Sequence, residues 1–161
     1  MVLCVHSDAG FHNENKGRSR AGAHIFLSGN NAMPQWNGSV LTLAQIIKFV
    51  TSSASKAKLG ALFITAKEMV EMRNIQEEMK WAQPKSPIQT DNSAAAGVVN
   101  NTIVPRKLKK MDRRLHWLRC RESQSQFRYY WASGNLNWGD YSTKHHPPLY
   151  HKLKNAICEK F

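Results

Sequence analysis

Apolar and polar residues alternate from the start of the chain. Leu3, Val5 and Ser7 fall on one side of an extended segment, and Cys4, His6 and Asp8 on the other. That period of two predicts a strand over Val2–Asp8. Ala9-Gly10 then opens a polar loop running through Ser19. Ala21–Ser28 (AGAHIFLS) predicts a second strand, closed by Gly29-Asn30-Asn31. Within Met33–Leu43 the Asn37-Gly38 pair is a hairpin signal, followed by Ser39–Leu43. The period changes after Ser52 or Ser53, either of which suits an N-cap. Leu59, Leu62, Phe63, Ala66 and Val70 recur at helical spacing, which predicts a helix to about Trp81 that Pro84 and Pro87 end. Ile88–Asp91 predicts a short strand, and Asn92–Asn100 a short Ala-rich helix. Pro105 opens a further helix to about Glu122, with an apolar stripe of Leu108, Met111, Leu115 and Leu118. Gln126–Trp131 (QFRYYW) predicts a last strand, and the polar segment from Asn135 a terminal helix near Gly139. The order β-β-β-α-β-α-α-β-α implies an α/β fold, a mixed sheet covered by helices.

The 161 residues suit one domain. No run approaches the ~20 apolar residues of a membrane span, and Met1–Val5 is too short for a secretory signal. Cys4, Cys120 and Cys158 are odd in number and widely spaced, which argues for a reducing, intracellular setting. Charge changes the picture more. There are 23 Lys and Arg against 11 Asp and Glu, a formal net charge of +12. Such an excess points to a polyanionic partner, most often nucleic acid.

Acids are scarce, and three of them fall where chemistry collects. Asp8 ends the first predicted strand, Asp91 ends the fourth, and Asp140 follows the last at a helix start. Ligands of mixed α/β sheets gather at strand C-termini. Clustered carboxylates repel unless a cation intervenes, and hard oxygen ligands select Mg²⁺ or Mn²⁺. Each acid also fits a plainer role: Asp8 in a turn, Asp91 and Asp140 as helix N-caps.

Several stretches together carry a family resemblance. They are VHSDAG (Val5–Gly10), RSRAGAHIFLS (Arg18–Ser28), NGSVLTLAQIIKFVTSSAS (Asn37–Ser55), LGALFITAKE (Leu59–Glu68), PIQTDNSAAAGVVN (Pro87–Asn100), KKMDRRLHWLRCR (Lys109–Arg121), FRYYW (Phe127–Trp131) and NWGDYSTKHHPP (Asn137–Pro148). In this order the chain resembles the ribonuclease H domain that ends the polyprotein of copia-type LTR retrotransposons. The resemblance implies a single ribonuclease H-like domain over residues 1–161, with a core to about 148 and a tail over 149–161. It implies a five-stranded mixed sheet, the first three strands antiparallel, flanked by helices. It implies two-metal hydrolysis of the RNA strand of an RNA–DNA hybrid, with Mg²⁺ or Mn²⁺ held by Asp8, Asp91 and Asp140. A reverse transcriptase domain upstream, and a location in the cytoplasm or a virus-like particle, follow from the same likeness.

One departure bears on the chemistry. The family carries a metal-binding Glu on the first turns of the long helix, where this chain reads Ser52-Ser53-Ala54-Ser55-Lys56-Ala57-Lys58. Lys58 stands at the Glu position, and Lys56 replaces a second acid. An ammonium has no lone pair and repels divalent ions, so hydrolysis is expected to be severely weakened or lost. The alternative function is an inactive module kept for hybrid binding or polyprotein architecture. Lys58 is also able to pair with Asp8 or Asp91 and hold the site together without metal. Restoring both acids would give 21 basic against 13 acidic residues, or +8, so a third of the charge excess arises in this one stretch.

Other positions have two readings each. Arg106, Lys107, Lys110, Arg113 and Arg114, with Arg18 and Arg20, suit phosphate contact or a solvated face. Asn92 suits a ribose 2′-OH or a helix cap. Trp138, in a polar loop, suits stacking on a nucleotide, whereas Trp117 and Trp131 are expected in the core. By analogy with ribonucleases H, His145 suits a role in product release. The His145-His146 pair with His151 reads as a polar tail rather than a zinc site.

Overall fold

The computed structural model describes residues 1–103 and 113–152. β1 (Val2–Glu14), β2 (Arg18–Ser28) and β3 (Ser39–Ile46) run antiparallel in sequence, while β4 (Ser86–Thr90) and β5 (Phe127–Trp131) are parallel to β1. The described strands form one five-stranded mixed sheet in the order β3-β2-β1-β4-β5. Helices α1 (Ala54–Glu78), α2 (Ser93–Val99) and α3 (Arg113–Ser123) flank it, and α4 (Asp140–Thr143) is a single turn. The expected fold class holds. Arg106, Lys107, Lys110, Leu108 and Met111 lie outside the described residues, as does Cys158.

Alternation along β1 sorts the two layers. Leu3 and Val5 enter the main core with Leu62, Ala66 and Met69 of α1, and Ala9 meets Ala57 and Ala61. Cys4 packs on the opposite side with Val2 and Phe26. Ser53 caps α1, its hydroxyl accepting from Lys56 N–H at 3.3 Å. The helix ends at Glu78, three residues before Trp81, because Lys80 turns left-handed (φ 64°) and Trp81 N–H donates back to Gln76 O.

Four further expectations are corrected. The polar stretch from Ala9 to Ser19 is mostly strand: β1 continues past a register shift between Gly10 and Glu14, and only Asn15–Gly17 forms the turn. Asn37-Gly38 is not a two-residue hairpin turn. It ends a ten-residue connection over 29–38, and Asn37 Nδ2 donates to Leu27 O. Pro87 lies inside β4, in register with Arg128, near the strand's start where a missing N–H is tolerated. The helix expected near Gly139 is a single four-residue turn, α4, and among the described residues 148–152 are helical again. No described helix is long and apolar enough to cross a membrane.

Candidate active site

Register brings the first two acids level. Val5 pairs with Ile88 and His6 with Gln89, so the parallel ladder carries Asp8 beside Asp91 just beyond the end of β4. Asp8 sits within β1 opposite Gly22, not in a turn. Asp91 does not cap α2; Asn92 does, accepting from Ala95 N–H at 3.0 Å. Asp140 is the first residue of α4 rather than its cap.

Two glycines let α4 reach the sheet. A Cβ on Gly22 would lie 2.5 Å from Thr143 Cγ2, and one on Gly139 would lie 2.7 Å from His6 O. With both bare, the buried Thr143 hydroxyl comes to 2.8 Å from Asp8 Oδ2 and 2.9 Å from Asp140 O, and donates its one proton to either. The preceding loop is strapped to β1 as well. Asn137 Nδ2 donates to Ser7 O at 2.8 Å, and Trp138 N–H to His6 Nδ1 at 3.3 Å. The Asn137-to-Thr143 stretch therefore holds the site together mechanically.

Lys58 rises from the second turn of α1 into the gap between the carboxylates. Its Nζ lies 2.5 Å from both Asp91 oxygens and 3.5 Å from Asp8 Oδ1. Asp8 is only 4% exposed, and the Lys58 and Asp91 side chains about one-fifth. Asp140 turns its carboxylate to Lys144, 2.6 Å away. That hydrogen bond raises the Lys144 pKa, and the charges of Asp140, Asp8 and Asp91 add to the rise against partial desolvation. Lys144 itself is 58% exposed, so its ion pair contributes little to stability.

A magnesium ion needs oxygen ligands at about 2.0–2.1 Å. Here the position between Asp8 and Asp91 holds an ammonium that donates to the oxygens a metal would use. Among the described residues no three His, Cys, Asp or Glu side chains form a metal-ligand group. The residues present do not fit a divalent pair.

His6 is a buried neighbour that sequence reasoning did not single out. Burial lowers its pKa from 6.5 to about 3, helped by His24. With Nδ1 accepting from Trp138 N–H, the ring proton is assigned to Nε2, which is buried and has no hydrogen-bond partner among the described residues. Burial raises the Cys4 thiol to about 12, marking an inert cysteine. Thr143, Asn137 and Lys144 were also missed, although all three lie in the NWGDYSTK stretch.

The remaining residues divide. Arg18 and Arg113 are exposed. Arg20 is paired with Glu14 at 2.6 Å, and the Arg114 guanidinium lies 3.5 Å over the Phe49 ring. Trp117 packs edge-on to Phe63 against the core. Trp131 is not a core residue: it is 56% exposed, and its indole N–H donates to Asp91 O at 3.0 Å. Trp138 lies half-buried against Trp36, ring centroids 4.4 Å apart. His145 is exposed just after α4, while His146 and His151 hydrogen-bond to Tyr141.

Solved structures share this architecture. The ribonuclease H1 LC11, isolated from compost by a metagenomic approach, aligns with a TM-score of 0.64 at 9% identity, covering 97% of this chain and 98% of that one. The N-terminal RNase H domain of a Mycobacterium tuberculosis protein gives 0.60 at 14% identity, covering 88% and 95%. LC11 in complex with an RNA/DNA hybrid gives 0.59 at 10% identity, covering 86% and 91%. The fold is that of ribonuclease H. No protein-family model matches the chain, and no curated protein sequence matches it.

Proposed function

We propose that this chain is the ribonuclease H domain of a copia-type retrotransposon polyprotein, one that binds RNA–DNA hybrid and in which Lys58 severely weakens metal-dependent hydrolysis. The observation that carries the second half is the Lys58 ammonium on both Asp91 oxygens and near Asp8. Hybrid binding is supported by the net charge of +12, by exposed Arg18 and Arg113, and by a fold shared with an enzyme solved on such a hybrid. The copia assignment and an upstream reverse transcriptase partner rest on the motif series in the sequence. The same ammonium favours the second reading, a hybrid-binding module without hydrolysis.

This reading assigns the catalytic carboxylates to Asp8, Asp91 and Asp140, each of which is engaged by a lysine ammonium. Phosphate contact falls to the exposed arginines, and Trp131 offers a fixed, solvent-facing indole beside Asp91. The test pairs binding with cleavage on one labelled RNA–DNA duplex. Binding that weakens steeply with salt, with little cleavage in Mg²⁺, is the expected result. Cleavage by the wild type equal to that of Lys58→Glu would remove the impairment, and salt-independent binding would remove the phosphate contacts.

A further inference from the structure

The three acids and their cations add up in an unusual way. Lys58 sits on Asp91 and Asp8, and Lys144 on Asp140, so three carboxylates face two ammonium groups and the cluster is one charge negative. An acid at position 58 would make it two units more negative. Carboxylates grouped around a phosphate site repel both one another and the nucleic-acid backbone unless cations neutralise them. Here the neutralising charge belongs to the chain. Lys58 is the inner cation, four-fifths buried and anchored by a helix whose neighbouring Ala57 and Ala61 are fully buried. Lys144 is the outer one, its ammonium 2.6 Å from the Asp140 carboxylate. The Thr143 hydroxyl links the two pairs, reaching both Asp8 and the Asp140 carbonyl.

We infer that Lys58, assisted by Lys144, serves as a built-in replacement for divalent cations, so that the domain folds to full stability and engages the hybrid backbone without metal. The folding half stands on the geometry alone. The binding half rests on the hybrid-binding function proposed above. It assigns Lys58 a role for this chain, neutralisation of the site for phosphate approach, beyond loss of a ligand.

The experiment compares wild type, Lys58→Glu and the milder Lys58→Gln in excess EDTA and in millimolar MgCl₂ at matched ionic strength. Thermal unfolding is read first, without nucleic acid. The wild-type Tm is expected to be the same in both buffers. Both variants are expected to melt lower in EDTA, and Lys58→Glu to gain about 3 °C or more with Mg²⁺ as a ligand binds the native state. Should Lys58→Glu fail to fold in EDTA, Lys58→Gln carries the comparison by its loss of Tm there. A wild-type Tm that rises with Mg²⁺ as much as the variants' overturns the inference. Hybrid affinity is read second by fluorescence anisotropy. Equal wild-type affinity in EDTA and Mg²⁺, against an Mg²⁺-dependent affinity for Lys58→Glu, is the expected result. Wild-type binding lost in EDTA overturns the binding half. Absence of wild-type binding in both buffers overturns the proposed function as well, while the Tm comparison still decides the folding half.

Discussion

Helix α1 buries a cation near each end, and the two ends use them differently. Fifteen residues, about 22 Å of helix, separate Lys58 from Arg73. At the C-terminal end, the Arg73 guanidinium donates to Pro84 O at 2.6 Å, Ser86 Oγ at 2.7 Å and Gln83 O at 2.9 Å. Those partners are neutral, and the Glu77 carboxylate stands back at 3.5 Å. Desolvation therefore pulls the Arg73 pKa down, with Glu77 opposing. Its work is structural: it ties the chain entering β4 to the helix. At the N-terminal end the Lys58 ammonium meets two carboxylates, and among the described residues no other cation lies as near to them. Removing Arg73 leaves unpaired dipoles, whereas removing Lys58 leaves unpaired charges that a metal ion is able to satisfy. The partners, more than the depth of burial, decide whether a buried cation is a clamp or a stand-in.

The largest effect that separates the two ends is catalytic. At an effective dielectric of ~20, one charge pair at ~4 Å is worth about 4 kcal/mol, so Lys58→Glu is expected to raise Mg²⁺-dependent cleavage by on the order of 10³-fold. Initial rates on a labelled hybrid check this, and no gain over wild type would count against Lys58 as the obstacle. Next comes Arg73→Met, expected to cost about 2–4 kcal/mol of stability by stranding three acceptors. Urea unfolding measures it. Hybrid affinity should stay at the wild-type level, and a parallel loss of affinity would blur the division between the two ends.

Acid should act through His6. The native ring stays neutral to about pH 3, while in the unfolded chain it takes up a proton below about 6.5. The stability it supports is present above pH 6.5 and is lost as pH falls toward 3, by about 1.4 kcal/mol per unit within that window. His6→Asn, which has nothing to titrate there, should show a shallower slope by that amount in unfolding free energy measured against pH. Equal slopes would show that His6 is not held neutral. The smallest expected effect belongs to Trp131. Trp131→Ala should weaken hybrid binding by about 1 kcal/mol, near the lower limit for base stacking, with no change in Tm. Unchanged anisotropy titrations would leave the indole without a role in binding.

Much of this arrangement is legible in the sequence. Alternation and helix spacing predict the chain order of strands and helices and a mixed sheet, with Asp8 and Asp91 at strand ends; the strand order and the β1–β4 register that set the two acids side by side come from the structure. The Lys58 partnership follows from position: one turn into α1, a long side chain reaches the strand ends. What escapes is whatever depends on the edge of the sheet. By period two, Trp131 shares the face of the buried Phe127 and Tyr129, yet it pairs with Thr90, the last residue of β4, and has open space beyond. The polar residues of β1 past Gly10 carry no strand signal, since pairing with β2 extends that strand. Thr143 and Asn137 gain their roles only through bare Gly22 and Gly139, contacts more than 110 residues apart in sequence.

The most direct measurement is a crystal structure of the wild-type domain soaked in MnCl₂, with anomalous data collected to locate manganese. The account predicts Lys58 Nζ between the Asp91 and Asp8 carboxylates and no manganese peak there, with a peak appearing in the Lys58→Glu crystal under the same soak. A manganese ion ligated by Asp8 and Asp91 in the wild type, with Lys58 displaced to solvent, would contradict it.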